Sequence, residues 1–358
     1  MPISAVDTIS LAFRHTKQQL LQPFRLGQWS RLALVGLLAG ELSSSGGCNG
    51  PSNFNFPRHP ARQFFTPGLS ATNPTLYIGL IVVLIASAFV LGIVLMYVSS
   101  VMRFILFDSV LAKECRIRAG WSRRQGPGLL YFFWKILYTV VSLAGLLVLL
   151  GIPLGFAFLM GWLKEPRQHL LPLILGGVAV FFLMFAFFVV LAVIYVLTKD
   201  FVVPQMALED IGVVEAWRRL WTMMKAERGG YAGYIGMKIV LAIGAAMIVG
   251  IVTLILGLII AIPTVALAVI AVLTGKTAGL TWNVFTITLA VVVGSVLFAV
   301  ILYLVALISV PVVVFFPAYS IYFFAARYRP LSLVLYPPAA PVTPPEAPPL
   351  PPAPEAIG

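Results

Sequence analysis

From Ile136 to Leu163 the chain carries no Asp, Glu, Lys, Arg or His, and these 28 residues wound as a helix would reach ~42 Å. Comparable runs free of charge occupy Leu76 to Met102, Leu170 to Thr198, Ile239 to Gly275 and Trp282 to Ala326. A helix of roughly 20 apolar residues crosses the ~30 Å hydrocarbon core of a bilayer, so each run is long enough to span. A sixth, shorter apolar segment runs from Trp29 to about Leu42. It is marginal in length, and is expected to span with some thinning of the bilayer rather than to turn back as a re-entrant loop. The expected fold is therefore all-α, a polytopic membrane helical bundle with about six transmembrane helices. Composition agrees, with 60% hydrophobic and 10% charged residues and a mean hydropathy of +1.01.

Two of the long runs contain proline at matching places. Gly151-Ile152-Pro153 interrupts the third span and Ala261-Ile262-Pro263 the fifth, and both are expected to kink or break their helices. Pro153 and Pro263 are the candidate helix-break sites. In transporters such breaks can mark unwound binding segments, although membrane helices tolerate proline generally.

Between the runs lie polar junctions, the fullest being Lys199 to Lys238. Placed on a helical wheel, Val213, Val214, Ala216, Trp217, Leu220, Trp221, Met223 and Met224 share one side, and Glu215, Arg218, Arg219, Thr222 and Lys225 the other. Asp210 is the expected N-cap, and Gly229-Gly230 the expected stop. Such a helix suits a membrane interface and equally a face packed on its own protein. Arg103 to Gly128 repeats the pattern, with Arg116, Arg118, Arg123 and Arg124 beside Trp121 and an expected breaker at Gly126-Pro127-Gly128. Residues 1–27 carry a weaker version around Phe13 and Arg14. Three units of interfacial helix plus helical hairpin result, at about 5–102, 103–198 and 199–328, within one membrane domain over 1–336. Residues 43–75 are a polar loop. Residues 337–358, dense in proline, are a disordered cytoplasmic tail.

The formal charge of +12 does not imply nucleic acid, because Lys and Arg are scattered at the ends of apolar runs. Nineteen of them fall on one side of the expected topology and five on the other. The positive-inside rule then places both termini in the cytoplasm of a prokaryotic cell, with the chain multi-pass in its inner membrane. No cleavable signal peptide is expected, since about thirty mixed residues precede the first apolar run.

Candidate chemistry is sparse. The interiors of spans two to six hold no ionisable side chain of the kind that marks ion paths and proton relays. His15, His59 and His169 are far apart, and Cys48 and Cys115 fall on opposite sides, outside any CxxC or Cys/His cluster. No metalloprotease, GxSG, Walker A or dinucleotide motif is present. No enzyme, cofactor or metal site is expected. The residues expected to contact lipid headgroups are Arg218, Arg219, Lys225 and Arg228, with Arg116, Arg118, Arg123 and Arg124. Small-residue steps at Ala88 and Gly92, and at Ala246 and Gly250, offer close helix contacts within the bundle or in a homo-oligomer.

The stretch FVVPQMALEDIGVVEAWRRLWTMMK resembles the membrane domain that accompanies some glycerophosphodiester phosphodiesterases, and related uncharacterised prokaryotic six-span families. The run TKQQLLQPFRLGQWSRLAL resembles the start of one of the latter. The likeness extends over about residues 5–335 and implies architecture without catalytic roles. No soluble phosphodiesterase domain is legible, so that activity is not expected to carry over. The function expected is that of a non-catalytic membrane protein whose basic amphipathic helices contact anionic lipid or a partner protein. The alternative is a transporter or channel component using the proline-broken helices.

Overall fold

The computed structural model describes residues 4–41, 74–164, 167–277 and 284–337, which are α-helical with short turns. In order, the helices are α1 (Asp7–Leu21), α2 (Leu26–Leu38), α3 (Pro74–Leu111), α4 (Ile117–Leu159) and α5 (Leu170–Leu197). A π-helical turn over Thr198–Val202 joins α5 to α6 (Val203–Glu209), followed by α7 (Val213–Ala226), α8 (Arg228–Thr277), α9 (Val284–Ala325) and α10 (Arg329–Leu335). The protein is an all-α, polytopic membrane bundle. The loop expected over 43–75 and the tail over 337–358 lie almost wholly outside the described residues, as do Cys48 and His59.

Among the described residues five stretches are long and apolar enough to cross a bilayer: Ile78–Leu111, Ile117–Leu159, Leu170–Glu209, Arg228–Gly275 and Phe285–Ala325. The expected first span is not among them. Its helix, α2, has 13 residues, ~20 Å of rise and too short for the hydrocarbon core. Past Leu38 the chain turns at Gly40, whose φ of +78° suits a residue without a Cβ, and delivers Glu41 into the protein interior. The marginal length was the informative feature here, and the apolar residues that would face lipid instead pack on α9. The packing is close. A Cβ on Gly36 would stand 2.6 Å from Val313 Cγ1.

The core lies at one end. The C-terminal part of α3, the N-terminal part of α4, the π-turn with α6, and the polar ends of α8 and α9 meet there with α1, α2 and α7. Its largest buried side chains include Phe104, Tyr131, Phe201, Tyr234, Tyr319 and Phe323. Away from this end the hairpins α4–α5 and α8–α9 and the N-terminal part of α3 expose their apolar side chains. At most 6% of the most apolar window of each span is buried within the chain, so lipid or other apolar partners must cover the rest.

Several local expectations are corrected by helix continuity. Gly126-Pro127-Gly128 does not break the chain, since α4 runs through it; Gly128 instead lets α3 approach, a Cβ there meeting Val101 Cγ2 at 2.7 Å. Helix also continues through Pro153 and Pro263. A proline forfeits one backbone hydrogen bond and crowds the preceding turn, and a long apolar helix absorbs both. Asp210 does not cap α7. It ends α6 in the left-handed region at φ +51°, and Gly212 takes the N-cap place. The stop after α7 is at Glu227, while Gly229 and Gly230 fall in the first turn of α8. Gly92 and Gly250 have nothing within 4 Å of a notional Cβ, so these small residues do not make the close contacts inside the described chain.

Candidate functional site

Where the apolar hairpins enter the polar end, charge is buried. Glu41, Arg103, Lys199 and Asp200 are each 8% exposed or less. Arg103, on α3, donates to the Glu41 carboxylate and through Nη2 to the Ala39 carbonyl at 2.8 Å. Lys199 donates to the other Glu41 oxygen. Asp200 accepts from the Tyr234 hydroxyl at 2.9 Å and from Lys238, both on α8. The π-turn makes this possible. Its wider i→i+5 ladder buries all five residues Thr198–Val202, and consecutive residues there reach opposite partners, Lys199 towards Glu41 and Asp200 towards α8. Ion pairs removed from water in this way require good geometry and further hydrogen bonds to offset desolvation. Both carboxylates have two donors.

A cavity of about 20 Å³ adjoins the network, lined by Glu41, Arg103, Lys199, Asp200, Pro317 and Ser320 among others. It has room for one water. Arg103 Nε is buried beside it without a hydrogen-bond partner from the protein. Next to the ions lies a layer of rings: Tyr234 stacks on Tyr319 with centroids 5.2 Å apart and sits 4.6 Å from Phe323.

Further ion pairs tie the surrounding helices. Arg124 makes a bidentate pair with Asp108 at 2.7 and 2.8 Å and donates to the Ala207 carbonyl at 2.7 Å, linking α4, α3 and α6. Arg219 pairs with Glu215 and Glu209, and Tyr328 also donates to Glu209. Arg327 holds Glu227 through two bonds of 2.7 Å. The Arg219 and Arg327 guanidiniums keep the Glu215 and Glu227 carboxyls below their usual range. A Cβ on Gly230 would stand 2.3 Å from Glu227 Oε1, so a side chain there would push this carboxylate from its place beside Arg327.

At α1, the His15 ring is buried between Val110 and Tyr322. A carbonyl only accepts, so Nε2 carries the hydrogen towards the Val110 oxygen at 2.9 Å, and Nδ1 faces the Tyr322 hydroxyl at 3.1 Å. Burial pushes this imidazole below the usual histidine range, with nearby Lys113 acting the same way. Burial also pushes the Cys115 thiol up.

The eight basic residues expected to meet lipid divide into two groups. Arg116, Arg118, Arg123, Arg218, Lys225 and Arg228 are exposed. Arg124 is buried and committed to Asp108, and Arg219 is half-buried between two glutamates. The apolar face of α7 packs Val213, Ala216 and Leu220 on the core, with Trp217, Met223 and Met224 half-buried against it and Val214 and Trp221 left outside. Sequence reasoning missed the site's central residues because it ended two spans just short of Arg103, Lys199 and Asp200 and passed over Glu41 within the first apolar segment. The available signal was a lone Glu closing an apolar segment and a Lys-Asp pair following one without a breaker.

Among the described residues, no group of three His, Cys, Asp or Glu could hold a metal ion. A profile of a family of unknown function, DUF7544, matches residues 3–334. The chain belongs to DUF7544. Comparison of this DUF7544 protein with the curated proteins and with the solved structures finds no match. The charged layer of the DUF7544 chain is thus read from its own chemistry: a set of cations and satisfied carboxylates suited to holding helices and meeting anions.

Proposed function

We propose that this DUF7544 protein is a non-catalytic, multi-pass protein of a prokaryotic inner membrane whose polar end faces the cytoplasm and gathers anionic lipid. The observation that carries this reading is the exposure of Arg118, Arg123, Arg218, Lys225 and Arg228 where five apolar helices emerge. Among the described residues Arg118, Arg123, Lys225 and Arg228 have no carboxylate within 4.0 Å. Trp221 stands exposed beside Lys225, its ring 5.6 Å from Nζ, an arrangement that fits the headgroup level of a bilayer. Each basic residue near an anionic surface contributes about 1 kcal/mol. The resemblance to phosphodiesterase-associated membrane domains enters this proposal as architecture alone.

Native mass spectrometry of the protein released from nanodiscs of mixed phosphatidylglycerol and phosphatidylcholine tests the reading. Changing Arg118, Arg123, Arg218 and Lys225 together to Gln is expected to reduce the share of phosphatidylglycerol among retained lipids. An unchanged share refutes it. Transport is the less supported alternative, since helix runs without interruption through Pro153 and Pro263.

A further inference from the structure

Lys135, on α4, is an ammonium without an acidic neighbour among the described residues. Its Nζ donates to Ser99 Oγ at 3.0 Å and lies 5.2 Å from the centroid of the Tyr131 ring. Among the described residues no carboxylate oxygen stands within 4.0 Å of it. Ser99 is one helical turn before Arg103, so Lys135 joins the layer of the buried network. Among the described residues that layer then holds four cations, Arg103, Lys135, Lys199 and Lys238, against two anions, Glu41 and Asp200. An excess of two positive charges in a medium of low dielectric is costly unless anions from elsewhere compensate it.

The space for such an anion is present. Lys135 lines a cavity of about 250 Å³ with Tyr131, Trp134, Tyr138, Thr139, Tyr195 and Thr198. Tyr195 is also a wall of a second cavity, of about 170 Å³, which reaches Lys199 and Lys238 and is otherwise lined mainly by Ile235, Ile239 and Phe316. Hydroxyls and ammoniums therefore converge beside apolar walls. Further along α4, Leu137, Val140 and Val141 are exposed, a track for an acyl chain. The Trp and Tyr side chains at this level mark the depth at which lipid phosphates sit.

We infer that these paired cavities bind the phosphate of one anionic membrane lipid, with Lys135 as its principal ligand and Lys238 and Lys199 supplying further positive charge. The ammonium has two N–H groups left beyond its bond to Ser99, enough for two charge-assisted bonds to phosphate oxygens. This rests on the reading that the polar end gathers anionic lipid, but on other residues than the exposed arginines.

The experiment titrates the purified, delipidated full chain with phosphatidylglycerol, phosphatidylcholine or inorganic phosphate, and counts adducts by native mass spectrometry. The wild type is expected to hold a single phosphatidylglycerol at least tenfold more tightly than phosphatidylcholine. K135Q is expected to lose that preference about tenfold, the loss of one bond to a charged group, and K135R to keep most of it. The quadruple Gln variant of Arg118, Arg123, Arg218 and Lys225 should retain the single tight adduct while losing the weaker ones. The inference is overturned if K135Q, still monodisperse on size exclusion, binds phosphatidylglycerol as the wild type does. It is overturned as to lipid if inorganic phosphate displaces phosphatidylglycerol at comparable concentration. Loss of the tight adduct only in the quadruple variant would leave the surface reading standing and remove this one.

Discussion

Glu41→Gln removes one carboxylate charge that two buried cations, Arg103 and Lys199, share. Arg103 would keep the Ala39 carbonyl at 2.8 Å, and Lys199 would keep its place in the π-turn next to Asp200, whose carboxylate is already engaged by Lys238 and Tyr234. Glu41 is 3% exposed and Arg103 4%, so water cannot easily replace the lost charge. Removing one partner of a buried pair costs about 3–5 kcal/mol. At roughly 2 °C per kcal/mol, the lower figure appropriate to a large chain, the apparent Tm should fall by about 6–10 °C. Thermal unfolding in detergent, followed by tryptophan fluorescence at fixed lipid content, measures it. Adding Lys199→Met to the variant should restore part of the loss, since one of the two cations that faced the lost carboxylate disappears with it. By contrast, Glu215→Gln breaks only surface pairs with Arg218 and Arg219 and should leave the melt nearly unchanged, since ion pairs in contact with solvent contribute little. A melt for Glu41→Gln equal to that for Glu215→Gln would refute the claim that the buried carboxylate holds α2 to α3 and the π-turn.

Three other outcomes are expected. Gly36→Ala places a methyl 2.6 Å from Val313 Cγ1 and should cost about 1–3 kcal/mol by overpacking; Val313→Ala in the same chain should recover most of it, as read by a double-mutant cycle on thermal melts. His15 is held neutral, its folded pKa below the unfolded value of about 6.5. Its contribution is thus complete above pH 6.5 and is lost as pH falls through the window down to the folded pKa. Melts between pH 7 and 5 should show this slope, and His15→Gln should flatten it. Cys115 is 5% exposed with its thiol pushed up by burial, so in a Cys48→Ser background it should react with N-ethylmaleimide only once the protein is denatured, as checked by intact mass.

The long apolar runs made the helical membrane bundle legible, because absence of charge over more than 18 residues is a strong and local signal. Five of those runs became membrane-length helices. The first did not, since the apolar residues of a 13-residue helix read alike whether lipid or α9 covers them. Helix ends were misread for a related reason. Gly126-Pro127-Gly128 and Gly229-Gly230 are breakers in water, yet here they lie within helices, where glycine serves close approach to Val101 and Glu227. The amphipathic wheel of α7 put Val213, Ala216 and Leu220 on the side that is buried, but Val214 and Trp221, assigned to the same side, are exposed. It could not say which arginine would find a glutamate, since Glu209 lies on another helix and its partner Tyr328 is 119 residues away. The buried network was illegible for the same cause: the separation between Glu41 and Lys199 is 158 residues, and no local pattern encodes a contact at that range.

The placement of the charges follows from how little else fixes the spans. Along their apolar lengths the hairpins α4–α5 and α8–α9 present most side chains outward, and contact with lipid does not discriminate one helix orientation from another, as lipid tails are as apolar as leucine. Orientation must therefore be set where the helices meet protein, at the polar end. There the directional contacts between spans include Glu41 to Arg103 and Lys199, Asp200 to Tyr234 and Lys238, and Arg124 to Asp108 and Ala207. They connect the end of α2, α3, α4, the π-turn with α6, and α8, so a change in one ion would be transmitted to two or three spans at once. An anion seated on Lys135 would act on the same layer through Ser99 and the turn of α3 that carries Arg103. Lipid occupancy and hairpin orientation are then linked by one set of charges, and by the reciprocity of binding equilibria whatever reorients the hairpins must also change the affinity for that lipid.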